Sequence, residues 1–165
     1  MTNAIELRLS DLGIELPVAP APLGAYVPAV TVGSLVVVSM QGPLRAGVPA
    51  FVGRVGVDVT VEQGRDAARL AILNVLAQLH RHLGGFDRLR RIVRLEGYVA
   101  CADDFFAHPH VVDAASDFLA SVFQTGHARS VCGVRNLPGN VPIALAVTAE
   151  LAGPFRKTAR ATTEA

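Results

Sequence analysis

The chain has 165 residues, of which 51% are hydrophobic and 5% aromatic, and its formal net charge is +1. That length fits one domain with a core able to sustain itself. A charge so near zero argues against a strong field toward nucleic acid or a membrane surface, and the apolar composition predicts an Ala/Val/Leu-rich core and a buried subunit interface.

Glu6, Arg8 and Asp11 interrupt any secretory-signal core, and the two cysteines, Cys101 and Cys132, are too few for a disulfide framework. Both read as small buried hydrophobes in a reducing, cytoplasmic compartment. Residues 16–44 carry no charge, but five prolines and three glycines among them argue against a spanning helix.

Residues 1–22 read as an N-terminal extension with a short helical piece around 5–12 and a Pro-rich connector. Residues 23–151 form the single domain. Tyr26 to Val30 is a predicted strand, Gly33-Ser34 a turn, and Leu35 to Ser39 a buried strand. Ala46 to Pro49 turns the chain again, and Phe51-Val52 is a short third strand. Thr60 and Gln63 form a capping box, in which each side chain satisfies a free backbone N–H at a helix start. The helix repeats apolar residues at Leu70, Leu73, Leu76, Ala77 and Leu79, and Gly84-Gly85 stops it. Leu89 to Ala100 is a strand. Pro109 opens a second helix with Val111, Val112, Ala115, Phe118, Leu119 and Val122 on one face, and Gly126 ends it. Val131, Cys132 and Val134 suit a strand, as do Ile143, Leu145 and Val147, with Pro138-Gly139 between them. Residues 152–165 are a predicted disordered tail with Arg156, Lys157 and Arg160. The order strands, helix, strand, helix, strands is an α+β mixed sheet with two helices on one face. The other sheet face must then be solvated or buried in an oligomer.

Arg129 stands at the head of an apolar strand, where its planar guanidinium offers a fork of donors matched to a carboxylate. The run Arg129-Ser-Val-Cys-Gly-Val, followed by Leu137-Pro138 and an apolar strand, resembles the signature of the RidA family (reactive intermediate deaminases, also YjgF or L-PSP). Gly24-Ala25-Tyr26 is similar to that family's N-terminal segment, and Ser39-Met40-Gln41 to its Ser-Gly-Gln strand end. The three occur in order over most of the chain.

The resemblance implies a chorismate-mutase-like (ferredoxin-like) fold and a homotrimer with ligand sites in the clefts between subunits. It implies that Arg129 grips a substrate carboxylate and that Tyr26 lines the pocket from a neighbouring subunit. Backbone near Ser39, Met40 and Val131 would contact ligand or water. The implied substrates are 2-imino or 2-enamine acids, hydrolysed without a cofactor to a 2-keto acid and ammonia. Deaminating members carry a Glu on the last strand where this chain has Ala144, and Ala146 stands where a second Glu is common. A methyl group does no proton transfer. Met40 also replaces a Gly. Asp113 stands where relatives often have Asn, and Asp113, Glu96 and Glu150 are the remaining candidate carboxylates.

A second function fits the same residues: non-catalytic binding of a small carboxylate, for sensing or regulation. A third, endoribonuclease or translation inhibitor, rests on the run Arg88, Arg90, Arg91 and Arg94, which lacks interleaved aromatics and reads better as a solvated or interface patch. The pairs His80/His82 and His108/His110 lack metal-ligand spacing, so no metal is expected.

Overall fold

The computed structural model describes residues 3–153. Of the predicted tail, everything beyond Gly153 lies outside the described residues. Ala4–Asp11 form α1, capped by Asn3, whose side chain accepts the Ile5 N–H at 2.7 Å. Ala29–Val32 (β1) and Leu35–Gln41 (β2) follow, then the short strands Leu44–Arg45 (β3) and Val48–Pro49 (β4). Val61–Leu83 form α2, Leu89–Ala100 β5, His108–Phe123 α3, Ala128–Val134 β6 and Ile143–Leu151 β7, with a 3-10 turn at Pro138–Asn140.

The main sheet runs β1-β2-β7-β5-β6, antiparallel except for the parallel β5–β6 pair. Helix α2 lies over β2 and β7, and α3 over β5 and β6. This is the expected α+β arrangement, with one addition. α1 packs on α3 as a third helix, burying Ile5 and Leu9, and Arg8 Nη1 donates to the Val122 carbonyl at 2.9 Å.

Local chemistry accounts for the boundaries. The Thr60–Gln63 capping box is formed in both directions, and Gly84 closes α2 in the left-handed conformation (φ 74°), which costs a glycine nothing. Pro109 sits in the first turn of α3 as expected, but the helix ends at left-handed Gln124, before Gly126. The stripe of α2 nearest the sheet is Ala67, Ala68, Ala71, Ile72, Val75, Leu76 and Leu79, all inaccessible; Leu70 and Leu73 sit half-buried on its margin. Small alanines let the helix approach closely, and each fully buried Leu or Ile contributes roughly 1.5–3 kcal/mol.

Two predicted strands fall elsewhere. Tyr26 lies in a bend, and β1 begins only at Ala29, because Pro28 offers no N–H for a ladder. Phe51-Val52 is irregular. The strand pair instead flanks Ala46-Gly47, both at positive φ, the geometry of a two-residue hairpin turn.

Candidate functional site

Register fixes which residues can meet. Val38, Val147, Leu95 and Arg129 lie on one cross-strand row, and Ala144, Tyr98 and Cys132 on another. The first row faces the helices. The second, offset by an odd number of residues along β7 and β6, faces away from them. Arg129 and Ala144 therefore point to opposite faces of one chain, on strands separated by β5.

On the Ala144 side lies a cavity of about 550 Å³, where β2 leaves the sheet. Tyr26, Ser39, Met40 and Ala144 line it, with Leu44, Pro138 and Val141. Four of the sequence-predicted site residues thus share one pocket. Its lining contains no carboxylate, imidazole, thiol or amine; Tyr26 and Ser39 supply the only side-chain hydroxyls. Tyr26 is 44% exposed, and its Oη accepts the Leu23 N–H at 3.4 Å.

The pocket wall is held from behind by buried amides. Gln41, Asn74 and Gln78 are the buried polar residues of the described core. Gln78 Nε2 donates to the Pro20 carbonyl (2.7 Å) and to Gln41 Oε1 (3.1 Å), and Gln78 Oε1 accepts from Arg81 (2.7 Å). Gln41 Nε2 donates to the carbonyls of Ser39 and Met40, both at 3.1 Å. Asn74 Nδ2 donates to the carbonyls of Gly42 (2.9 Å) and Leu44 (3.0 Å). The register of β2 against β7 shifts between Val38 and Gln41, so backbone groups there need partners outside the ladder. The amides supply them and fix the Ser39–Leu44 wall. Sequence reasoning missed Asn74 and Gln78; polar residues inside an apolar helical stripe were the available signal.

Arg129 belongs to a different cluster, on edge strand β6 beside α3. Its Nη1 donates to Asp113 Oδ1 at 2.7 Å and to Ser116 Oγ at 3.0 Å. His127 Nε2 lies 3.2 Å from the same Ser116 hydroxyl. Burial lowers the His127 pKa, and the Arg129 guanidinium pushes it the same way. Among the described residues both Arg129 contacts use Nη1, which leaves the Nε/Nη2 edge for another acceptor. Asp113 is thus the ion-pair partner of Arg129 and lines no part of the cavity. Val131 turns inward and packs against the core.

Comparison with known proteins places this geometry. A family profile described as "YjgF/chorismate mutase-like, putative endoribonuclease" matches residues 6–151. The chain belongs to the RidA (YjgF, L-PSP) family. It is 36% identical over 153 residues to Protein TCP17 of Trypanosoma cruzi, covering 91% of this chain and 96% of that protein. It is 28% identical to a 2-iminobutanoate/2-iminopropanoate deaminase of Dermatophagoides farinae, covering 79% of this chain and 88% of the other. The crystal structure of a protein from Shewanella oneidensis, described as a putative endoribonuclease, superposes with a TM-score of 0.86 at 38% identity, covering 90% of this chain and all of that one. The fold is chorismate-mutase-like.

The other polar groups that RidA membership brings into view are engaged elsewhere. Glu150 pairs with Arg91 (2.7 Å) and Arg90 (3.5 Å), and Glu96 with Arg94 (2.9 Å). These pairs also neutralise much of the basic run. Arg88 donates to the Gly153 carbonyl at 3.1 Å. The histidines are dispersed: His80 lies 4.0 Å from Glu6, His82 contacts Thr31 (2.7 Å), and His110 contacts Arg65. Among the described residues no three His, Cys, Asp or Glu side chains converge as metal ligands. No described helix is long and apolar enough to cross a membrane.

The cysteines differ from one another. Cys101 is buried as expected, but Cys132 is exposed, because its side of β6 faces away from the helices. Cys101 Sγ lies 3.3 Å from His108 Nε2. Burial raises the thiol's pKa, which keeps it protonated and a poor nucleophile. The same imidazole lies over Gly133, where a Cβ would sit 2.2 Å from Nε2. That close approach accounts for glycine in the Arg129–Val134 strand.

Proposed function

We propose that this chain is a RidA-type protein of the cytoplasm that binds 2-oxo and 2-imino acids as a homotrimer. In this reading Arg129 of one copy reaches the Tyr26–Ser39–Ala144 pocket of the next and takes the ligand carboxylate through its free guanidinium edge. The observation that carries the reading is the separation itself. A pocket without a cation stands on one side of the sheet, and on the other a cation whose own cleft, of about 310 Å³ beside Ser116 and His127, is smaller and more open. A cyclic arrangement of copies pairs the two. The exposed apolar residues Val30, Val32, Leu35 and Val37 on β1 and β2 supply surface for such an interface.

The chemistry open to a bound imine is addition of water to the C=N carbon, followed by collapse to the 2-oxo acid and ammonia. Arg129 and the pocket hydroxyls orient the substrate, and orientation alone supplies part of the acceleration. Ala144 supplies no acid or base, and a positioned group of that kind is worth about 10²–10⁴-fold. The protein is therefore primarily a binder whose turnover is slow. RNA cleavage has less support, since the Arg88–Arg94 run is engaged with Glu96, Glu150 and backbone.

The test couples an amino-acid oxidase, which makes imines in situ, to trapping by semicarbazide, with calorimetry on the matching 2-oxo acid. The proposal expects binding that Arg129→Ala abolishes and little imine depletion by wild type. Rapid imine depletion by wild type, or binding indifferent to Arg129, contradicts it.

A further inference from the structure

We infer that the pocket selects acids with a large apolar side chain, aromatic or branched aliphatic, over the three- and four-carbon acids. The inference rests on the binding function proposed above and adds the ligand's side-chain class. Beyond Ser39 and Tyr26, the walls are Met40, Leu44, Pro49, Pro138, Val141 and Ala144, with glycines between them. A cavity of about 550 Å³ is of the size that encloses a drug-sized ligand, far more than a three-carbon acid fills.

Two physical consequences follow. Apolar area removed from water drives binding roughly in proportion to the area buried, so a ligand that reaches the far walls gains over one that stops short. A polar side chain is penalised, because those walls offer it no side-chain hydrogen-bond partner and its desolvation goes uncompensated. Ala144 contributes to both effects: its small side chain leaves room, and it places no charge beside the ligand.

Calorimetry on the full chain with pyruvate, phenylpyruvate and 2-oxoglutarate tests this. Phenylpyruvate is expected to bind at least about tenfold tighter than pyruvate, a margin that one or two buried methylene equivalents supply. 2-Oxoglutarate, whose second carboxylate meets only apolar walls, is expected to bind weakest. Ala144→Leu should collapse the phenylpyruvate-to-pyruvate ratio toward one. Met40→Lys, at a position 45% exposed and so tolerant of charge, should move the preference toward 2-oxoglutarate. Equal or tighter binding of pyruvate overturns the selectivity while leaving the binding function standing, as does a ratio unchanged in both variants. Binding of none of the three acids overturns the parent function and this inference with it.

Discussion

The two halves of the candidate site differ in almost every physical respect. The pocket beside β2 and β7 is apolar and holds no carboxylate, imidazole, thiol or amine; its shape is fixed by three buried amides behind it. The β6–α3 edge is exposed and charged, and its arginine is held by an aspartate and a serine. One region is a container without a handle, and the other a handle beside only a small, open cleft. The difference teaches that a signature contiguous in a family's pattern need not be a contiguous site in one chain. Arg129 and Ala144 are fifteen positions apart in sequence yet face opposite sides of the sheet.

The contrast can be broken most strongly by giving the container a charge. Ala144→Glu places a carboxylate in the pocket, and imine hydrolysis in the oxidase-coupled assay should rise by about 10²–10⁴-fold. Removing the handle is the next largest change. Arg129→Ala should weaken 2-oxo acid binding by roughly 2–5 kcal/mol, as truncating one partner of a desolvated charge pair does, with an unchanged circular dichroism spectrum. The container's support comes third. Gln78→Leu leaves Gln41 Oε1 and the Pro20 carbonyl without their donor, which should cost about 1–3 kcal/mol in chemical denaturation. Amide exchange across Ser39 to Gln41, the segment that Gln41 braces, should quicken in the same variant. Asp113→Asn tests whether the handle's ion pair is structural. Both partners are partly exposed, so stability should change by less than about 1 kcal/mol.

The smallest expected effect is one of pH. Burial, aided by Arg129, holds the folded pKa of His127 below its ordinary value of about 6.5. The unfolded chain therefore takes up the proton first as pH falls. The neutral imidazole's contribution is complete above about pH 6.5 and is lost as pH drops from there through the folded value. His127→Gln should flatten that slope without abolishing it, since burial depresses His82 in the same direction. In Arg129→Gln an NMR titration should place His127 nearer its ordinary value.

Elements governed by local chemistry were legible in the sequence. The capping box at Thr60, the stop at Gly84, Pro109 at the start of α3 and the whole span of β5 depend on near neighbours. The β3–β4 hairpin was not, because two-residue strands carry no periodicity and the signal there was a turn alone. α1 read as part of an extension because its burial of Ile5 and Leu9 depends on α3, more than a hundred residues away. The pocket's residues were found through resemblance, and the ion pair between Arg129 and Asp113 was not, because nothing local marks a contact across sixteen positions. Leu70 and Leu73 misled because a 3.6-residue repeat gives a face but not which edge of it meets the sheet.

The central claim is that container and handle come together between copies, and complementation tests it most directly. Ala144→Trp blocks the pocket and keeps Arg129; Arg129→Ala removes the handle and keeps the pocket. Each variant alone should bind no 2-oxo acid by calorimetry. After the two are unfolded together in equal amounts and refolded, random assembly into cyclic trimers should restore about a quarter of the sites. A refolded mixture as inert as its parents, with wild type treated the same way recovering full binding, would contradict the shared site.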